Sequence, residues 1–199
     1  MGAPYHKYVF DEKNKSFVGE FNEMYKNETI EGYDSWHGDD LRRIDTIIAY
    51  AILNQYHFSS ILDIGCGKGA FTSLLKKKDN SVKGIDISEI AISRCKATYP
   101  DISFEVCDIN NYLFNEFYDA VIMRGVLSYI KEWKNLISKV AVHTNYLYTF
   151  DYIPVGAIGF VKSFDELTNE ICKYFMPVVH LYDSSNMHLH ALWKIKSGD

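Results

Sequence analysis

The chain has 199 residues, 47% hydrophobic and 24% charged, with a formal net charge of −5 at pH 7, which suits one soluble domain with a full core. No run approaches the roughly 20 apolar residues of a membrane span, and Met1 to Lys15 lacks a signal-peptide pattern. The acidic balance argues against a nucleic-acid partner, since the one dense basic cluster, Lys76-Lys77-Lys78, fits a helix end where cations offset the dipole.

Residues 1–40 are polar and aromatic, with poor periodicity, and form an expected N-terminal lid or substrate segment ahead of a domain over 41–199. Asp39 or Asp40 is expected to cap a helix with Leu41, Ile44, Ile48, Ala51 and Ile52 on its apolar face. An apolar run from Ser59 to Ile64 then stops at Gly65, Gly67 and Gly69, and a helical pattern with Phe71, Leu74 and Leu75 begins. That reads as strand, glycine turn and helix, a layout in which a ligand lies against bare backbone.

A second strand, Ser81 to Ile87, places Asp86 21 positions after Gly65. There a carboxylate accepts hydrogen bonds from both hydroxyls of a ribose. Ser88 is the expected N-cap of a helix carrying Ile92, Cys95 and Tyr99. Further strands follow over 102–109, ending in Asp108-Ile109, over 118–125, ending in Arg124-Gly125, and over 145–153. Ser163 and Glu166 form a capping box for a helix through about Tyr174. Met176 to Tyr182 and Met187 to Lys196 close the chain as a hairpin around Asp183 to Asn186. Alternating strands and helices predict a parallel sheet with right-handed crossovers. The cysteines Cys66, Cys95, Cys107 and Cys172 have no framework spacing and read as reduced, in a cytosolic protein.

Four motifs, in this order and spacing, resemble a class I S-adenosylmethionine-dependent methyltransferase: Asp63-Ile64-Gly65-Cys66-Gly67-Lys68-Gly69, Gly84-Ile85-Asp86-Ile87-Ser88, Cys107-Asp108-Ile109, and Asp119 to Ile130. The resemblance implies an α/β fold: a single-domain, seven-stranded, mostly parallel sheet with helices on both faces and a C-terminal antiparallel hairpin. It also implies S-adenosyl-L-methionine as cofactor, with Asp63 and the loop of Gly65, Cys66, Gly67 and Gly69 at its methionine portion. Asp86 with Ile87 would hold the ribose, and Asp108 and Ile109 would flank the adenine. Arg124, on the same rim, completes the expected cofactor set. Val142-His143-Thr144-Asn145 replaces the Pro-Gly-Gly-like turn common in that family. The Asn/Asp-Pro-Pro-Tyr/Phe motif of enzymes that methylate base amino groups is missing.

Methyl transfer asks the protein to align a nucleophile, exclude water and, for some acceptors, remove a proton. Three residues are candidates for the proton. Asp151 lies at the carboxyl end of the fifth strand, as a base or as a loop cap. Tyr129 follows the fourth strand, facing an acceptor or packed on the next helix. His37 lies in the Gly- and aromatic-rich stretch 32–38, as a lid base or an exposed loop residue. Tyr33 and Trp36 could cover a sulfonium by cation–π attraction or serve as packing anchors.

His180 and His188 are expected to face each other across the hairpin, with His190 one step along. No fourth ligand presents itself, so no metal is expected. The reading is thus a cytosolic methyltransferase acting on an oxygen or nitrogen of a small molecule, with no nucleic acid and no membrane. A catalytically silent cofactor-binding subunit, or a nicotinamide-dependent oxidoreductase, is the alternative.

Overall fold

A computed structural model of the chain describes residues 3–183, 185 and 187–197. The N-terminal segment holds a two-stranded ribbon, β1 (Phe10–Asp11) and β2 (Ser16–Phe17), and a helix, α1 (Phe21–Glu31). Then come α2 (Ile44–Leu53), β3 (Ser60–Ile64), α3 (Ala70–Leu75), β4 (Ser81–Asp86), α4 (Glu89–Thr98), β5 (Ser103–Val106) and β6 (Tyr118–Arg124). The remainder is α5 (Trp133–Ala141), β7 (Thr144–Tyr152), α6 (Phe164–Ile171), β8 (Phe175–Tyr182) and β9 (His188–Ile195).

Strands β3 to β9 form one seven-stranded sheet in the order β5-β4-β3-β6-β7-β9-β8. Every pairing from β5 through β7 is parallel, whereas β9 runs antiparallel to both β7 and β8. The expected sheet and terminal hairpin are therefore present, although Ser184 and Asn186 of the hairpin turn lie outside the described residues.

Period-two alternation along the central strands sorts their side chains onto two faces. Leu62, Ile64, Val121, Met123 and Leu147 pack with Trp133, Ile137 and Val140 of α5 and with Leu167 and Ile171 of α6. Ile61, Ala120, Ile122 and Tyr148 pack on the other face with Ala49 and Ile52 of α2, Phe71 of α3, and Ile92 and Cys95 of α4. Two buried layers explain why these strands read as nearly continuous apolar runs.

Three local expectations need correction. The helix after Asp40 starts at Ile44, with Arg43 as its N-cap, because the Asp40 carboxylate is occupied by the Arg42 backbone N–H and guanidinium. Its buried face is Thr46, Ala49, Ile52 and Leu53, while Ile44 is 70% exposed. The helix begun by Ser163 ends at Ile171, short of Tyr174. Ser163 Oγ caps the Glu166 N–H, but the Glu166 carboxylate accepts from the Lys162 N–H, not from the cap residue, so only half of the capping box forms. Strand β5 is only four residues long, so Cys107 and Asp108 have already left the sheet. The expected Ser88 cap is present, with its Oγ accepting from the Ala91 N–H at 3.1 Å.

Helix α1 was not visible as an amphipathic pattern, since only Met24, Tyr25 and Glu28 of its eleven residues are buried. It ends at Gly32, whose φ of +70° is the left-handed conformation of a helix C-terminus. Met24 and Tyr25 join Tyr5 and Val9 against Ala91 of α4, which docks the N-terminal segment onto the sheet domain.

Candidate functional site

The strand order reverses between β4 and β6, which lie on either side of β3. Open α/β sheets bind ligands at such a switch point, beyond the carboxyl ends of the strands. A cavity of about 540 Å³ lies there. Its floor runs from the glycine loop after β3 to Asp151 of β7, and its cover comes from the N-terminal segment.

The loop at 65–69 is built for close approach. Gly65, Gly67 and Gly69 all have positive φ, at 72°, 54° and 79°. A Cβ on Gly65 would stand 2.3 Å from Val126 Cγ2, and one on Gly67 would stand 2.9 Å from the Tyr25 hydroxyl. The Gly65 and Cys66 N–H groups donate to the Ile85 carbonyl, tying the loop to β4. Asp86 completes the tie, because Oδ2 accepts from the Gly67 N–H and Oδ1 from the Ser88 N–H, each at 2.9 Å. One bond per oxygen leaves each a lone pair for a diol. Burial raises the Asp86 carboxyl somewhat, and the Ser88 and Gly67 N–H groups pull against that rise.

Asp63 lies one layer below. It is 3% exposed and accepts from Thr72 Oγ1 at 2.6 Å. Burial pushes its pKa to about 6, against the pull of Thr72 and Arg124. Asp108 lines the cavity but spends Oδ1 on the backbone and side-chain amides of Asn110, capping a short 3₁₀ turn. Ile87 and Ile109 offer apolar surface between these two acids. Arg124 reaches the cavity only in part. Its guanidinium lies 3.9 Å over the Phe71 ring and its Nη2 bonds Thr46 Oγ1 at 3.2 Å, with Asp45 Oδ2 at 3.5 Å. That arm fixes α2 on the sheet, and Nε is left buried with no partner among the described residues.

The three candidates for the proton line the same cavity. Asp151 is 1% exposed, and its Oδ2 has no hydrogen-bond partner among the described residues. Burial alone pushes its pKa to about 7. Tyr129 stands in an aromatic surround, with ring centroids 5.5 Å from Trp36, 5.6 Å from Phe21 and 6.1 Å from Phe17. Burial holds its hydroxyl well above the usual range, and the charges of Tyr5 and Asp151 add to the effect. His37 is exposed at the mouth, and both it and Trp36 have left-handed backbone, with φ of 50° and 57°. Two such non-glycine residues in a row are strained and turn the Trp36 ring toward Tyr5 and Tyr129.

An ion cluster that sequence reading missed closes one wall. Lys68, between two loop glycines, sends its ammonium away from the cavity to Asp34 and Asp39, each at 2.6 Å, and to Glu28 at 3.2 Å. Glu28 also pairs with Arg94 of α4 and accepts from the Ser35 N–H. Burial pulls the pKa of the Lys68 ammonium down, but the bonds it donates to Asp34 and Asp39 outweigh that and leave it above the usual range. The only sequence signal was a lysine at the glycine loop and acids scattered through 28–39.

The hairpin histidines do not converge. His180 pairs with Ala191 and Leu181 with His190, and an irregularity between Pro177 and Val179 shifts the register beyond them. His180 packs on Trp193, His188 Nδ1 bonds Asp183, and His190 Nδ1 bonds the Tyr148 hydroxyl. The expected opposition of His180 and His188 fails because the strands pair with Tyr182 opposite Leu189 next to the turn, which leaves His188 three positions from the partner of His180.

Residues 61–145 match the family model described as "Methyltransferase domain". Over those residues the chain is similar to S-adenosylmethionine-dependent methyltransferases, and it has their fold. It is 40% identical over 83 residues to a putative methyltransferase, 235L, of Invertebrate iridescent virus 6, covering 39% of this chain and 31% of that one. It is 24% identical over 146 residues to the dTDP-3-amino-3,4,6-trideoxy-alpha-D-glucopyranose N,N-dimethyltransferase of Streptomyces venezuelae, covering 71% and 62%. The chain thus spans from about a third to under two thirds of the length of these relatives. In fold it is similar to the N-methyltransferase NodS of Bradyrhizobium japonicum WM9, solved with S-adenosyl-l-homocysteine. That likeness has a TM-score of 0.71 and 20% identity, and it covers 88% of this chain and 98% of NodS. The glycine cradle, the free lone pairs of Asp86 and the cavity volume fit S-adenosylmethionine.

Proposed function

We propose that the chain transfers a methyl group from S-adenosylmethionine to an oxygen or nitrogen of a small-molecule acceptor. One observation carries the reading: a single cavity runs from the glycine loop to a buried carboxylate, Asp151, which has no partner among the described residues. A cofactor-binding subunit without chemistry has no need of an acid kept in that state.

The cofactor supplies a methyl group activated by its sulfonium. The chain's own residues do the rest. Gly65 and Gly67 let the backbone approach the methionine portion, Asp86 takes the ribose hydroxyls, and Ile87, Asp108 and Ile109 bracket the adenine. Asp151 takes the proton that the acceptor loses. Tyr129 and Trp36 form the wall that keeps water out, with Tyr129 less suited to be the base because its hydroxyl holds its proton so firmly. His37 stands at the mouth, nearer to a gate than to a base. Residues 1–40 act as the acceptor-side cover, latched to the glycine loop through Lys68. Four free cysteines fit a reducing, cytosolic setting.

Calorimetry with S-adenosylhomocysteine tests the reading. Asp86→Ala should weaken binding by about 1.5–3 kcal/mol for each charge-assisted hydrogen bond lost. Equal affinity of the variant and the wild type would count decisively against this site.

A further inference from the structure

Resting on the reading just given, we infer that Asp151 and the aromatic rings beside it form an ammonium-binding subsite, so that the acceptor is a primary or secondary amine bound in its protonated form. The topology divides the cavity into two parts. The glycine loop, Asp86 and Asp108 lie beyond β3, β4 and β5, while Asp151 lies at the end of β7 on the far side of the switch point. The acceptor half is therefore the part floored by Asp151.

The charged and titratable groups on the strands beside that floor are engaged, apart from Arg124 Nε, which has no partner among the described residues. On β6, Arg124 is held by Thr46 and Asp45, and Arg43 pairs with Asp45 at 3.0 Å. On β9, His188 is bound to Asp183, and His190 to the Tyr148 hydroxyl of β7. Tyr129 carries no charge in its ordinary state. Asp151 alone is buried with a carboxylate oxygen unsatisfied among the described residues.

A buried carboxyl is held ionised only by a paired cation, and with none bonded to Asp151 among the described residues that cation is one brought by the ligand. A hydroxyl would donate one hydrogen bond and leave the charge uncompensated. An ammonium brings both the charge and several donors. The rings of Tyr129, Trp36 and Phe17 supply the rest of the surround, since their faces attract a cation and accept its apolar substituents. The proton then has a short path. The N–H bond breaks, the proton goes to Asp151 as an O–H, and the electron pair stays on nitrogen as the lone pair that methylation requires.

The test is calorimetry of matched amine and alcohol pairs on the protein saturated with S-adenosylhomocysteine. Suitable pairs are benzylamine with benzyl alcohol, cyclohexylmethylamine with cyclohexylmethanol, and glucosamine with glucose. In at least one pair the amine should bind tenfold or more tighter than its alcohol. Asp151→Asn should abolish that preference while leaving S-adenosylhomocysteine affinity within about twofold. The wild type provides a check that needs no variant. Amine affinity should fall by about tenfold per pH unit as Asp151 protonates below about pH 7, whereas alcohol affinity should stay flat. Alcohols binding as well as amines, no amine binding in any pair, or an amine preference that survives Asp151→Asn would each overturn the proposal. Failure of S-adenosylhomocysteine itself to bind the wild type would sink the cofactor reading instead.

Discussion

Lys68→Met should open the N-terminal cover without unfolding the sheet domain. The methionine keeps most of the apolar stem, so the loss is electrostatic. The Lys68 side chain is 7% exposed and reaches Glu28, Asp34 and Asp39, whose side chains are 7%, 33% and 62% exposed. The two outer acids can return to water, which places each of those arms at about 0.2–1 kcal/mol. The Glu28 arm is buried and charge-assisted, worth about 1.5–3 kcal/mol, although Arg94 and the Ser35 N–H still hold that carboxylate. Together they give roughly 2–5 kcal/mol, or about 30- to several-thousand-fold in a local opening equilibrium. Amide hydrogen exchange over residues 21–40 should accelerate by that factor, while β3, β6 and β7 exchange as before. Lys68→Arg, which keeps the charge, should restore much of the protection. Unchanged exchange over 21–40 in Lys68→Met would refute the latch, as would equal loss throughout the chain.

Gly65→Ala places a Cβ 2.3 Å from Val126 Cγ2 at a φ of +72°; it should cost about 1–3 kcal/mol in chemical denaturation, and an unchanged midpoint would mean that the loop is looser than it looks. Asp63 and Asp151 have folded-state pKa values raised to about 6 and about 7, so the native chain holds protons that the unfolded chain releases. Their contribution to stability should therefore be fully present below about pH 4, decline as pH rises toward 7 by on the order of 1.4 kcal/mol per unit for each group still titrating, and level off above that. Asp151→Asn removes one of these costs, so its melting temperature should exceed that of the wild type at pH 8 and converge with it near pH 4. A variant that melts lower at both pH values would show that the carboxylate is satisfied after all.

The glycine loop and Asp86, which form the proposed cofactor half of the site, were legible as local structure because their geometry is local. A strand, Gly65, Gly67 and Gly69 at positive φ, and Asp86 one strand away are each dictated by residues within a few positions. The apolar runs of β3, β6 and β7 likewise announced a sheet buried on both faces, since their period follows from the backbone alone. Tertiary structure decided what depends on partners far away in sequence. Helix α1 hides a buried glutamate whose cation partners come from the glycine loop and from α4, so no one-dimensional period reveals its inner face. The histidine register turned on the pairing of Tyr182 with Leu189 beside the hairpin turn, which strand composition does not predict. Asp151 was visible as an acid at a strand end. That it is buried, unpaired among the described residues and walled by rings from residues 5–36 follows only from packing, because burial and the absence of a partner belong to the assembled chain and not to the residue.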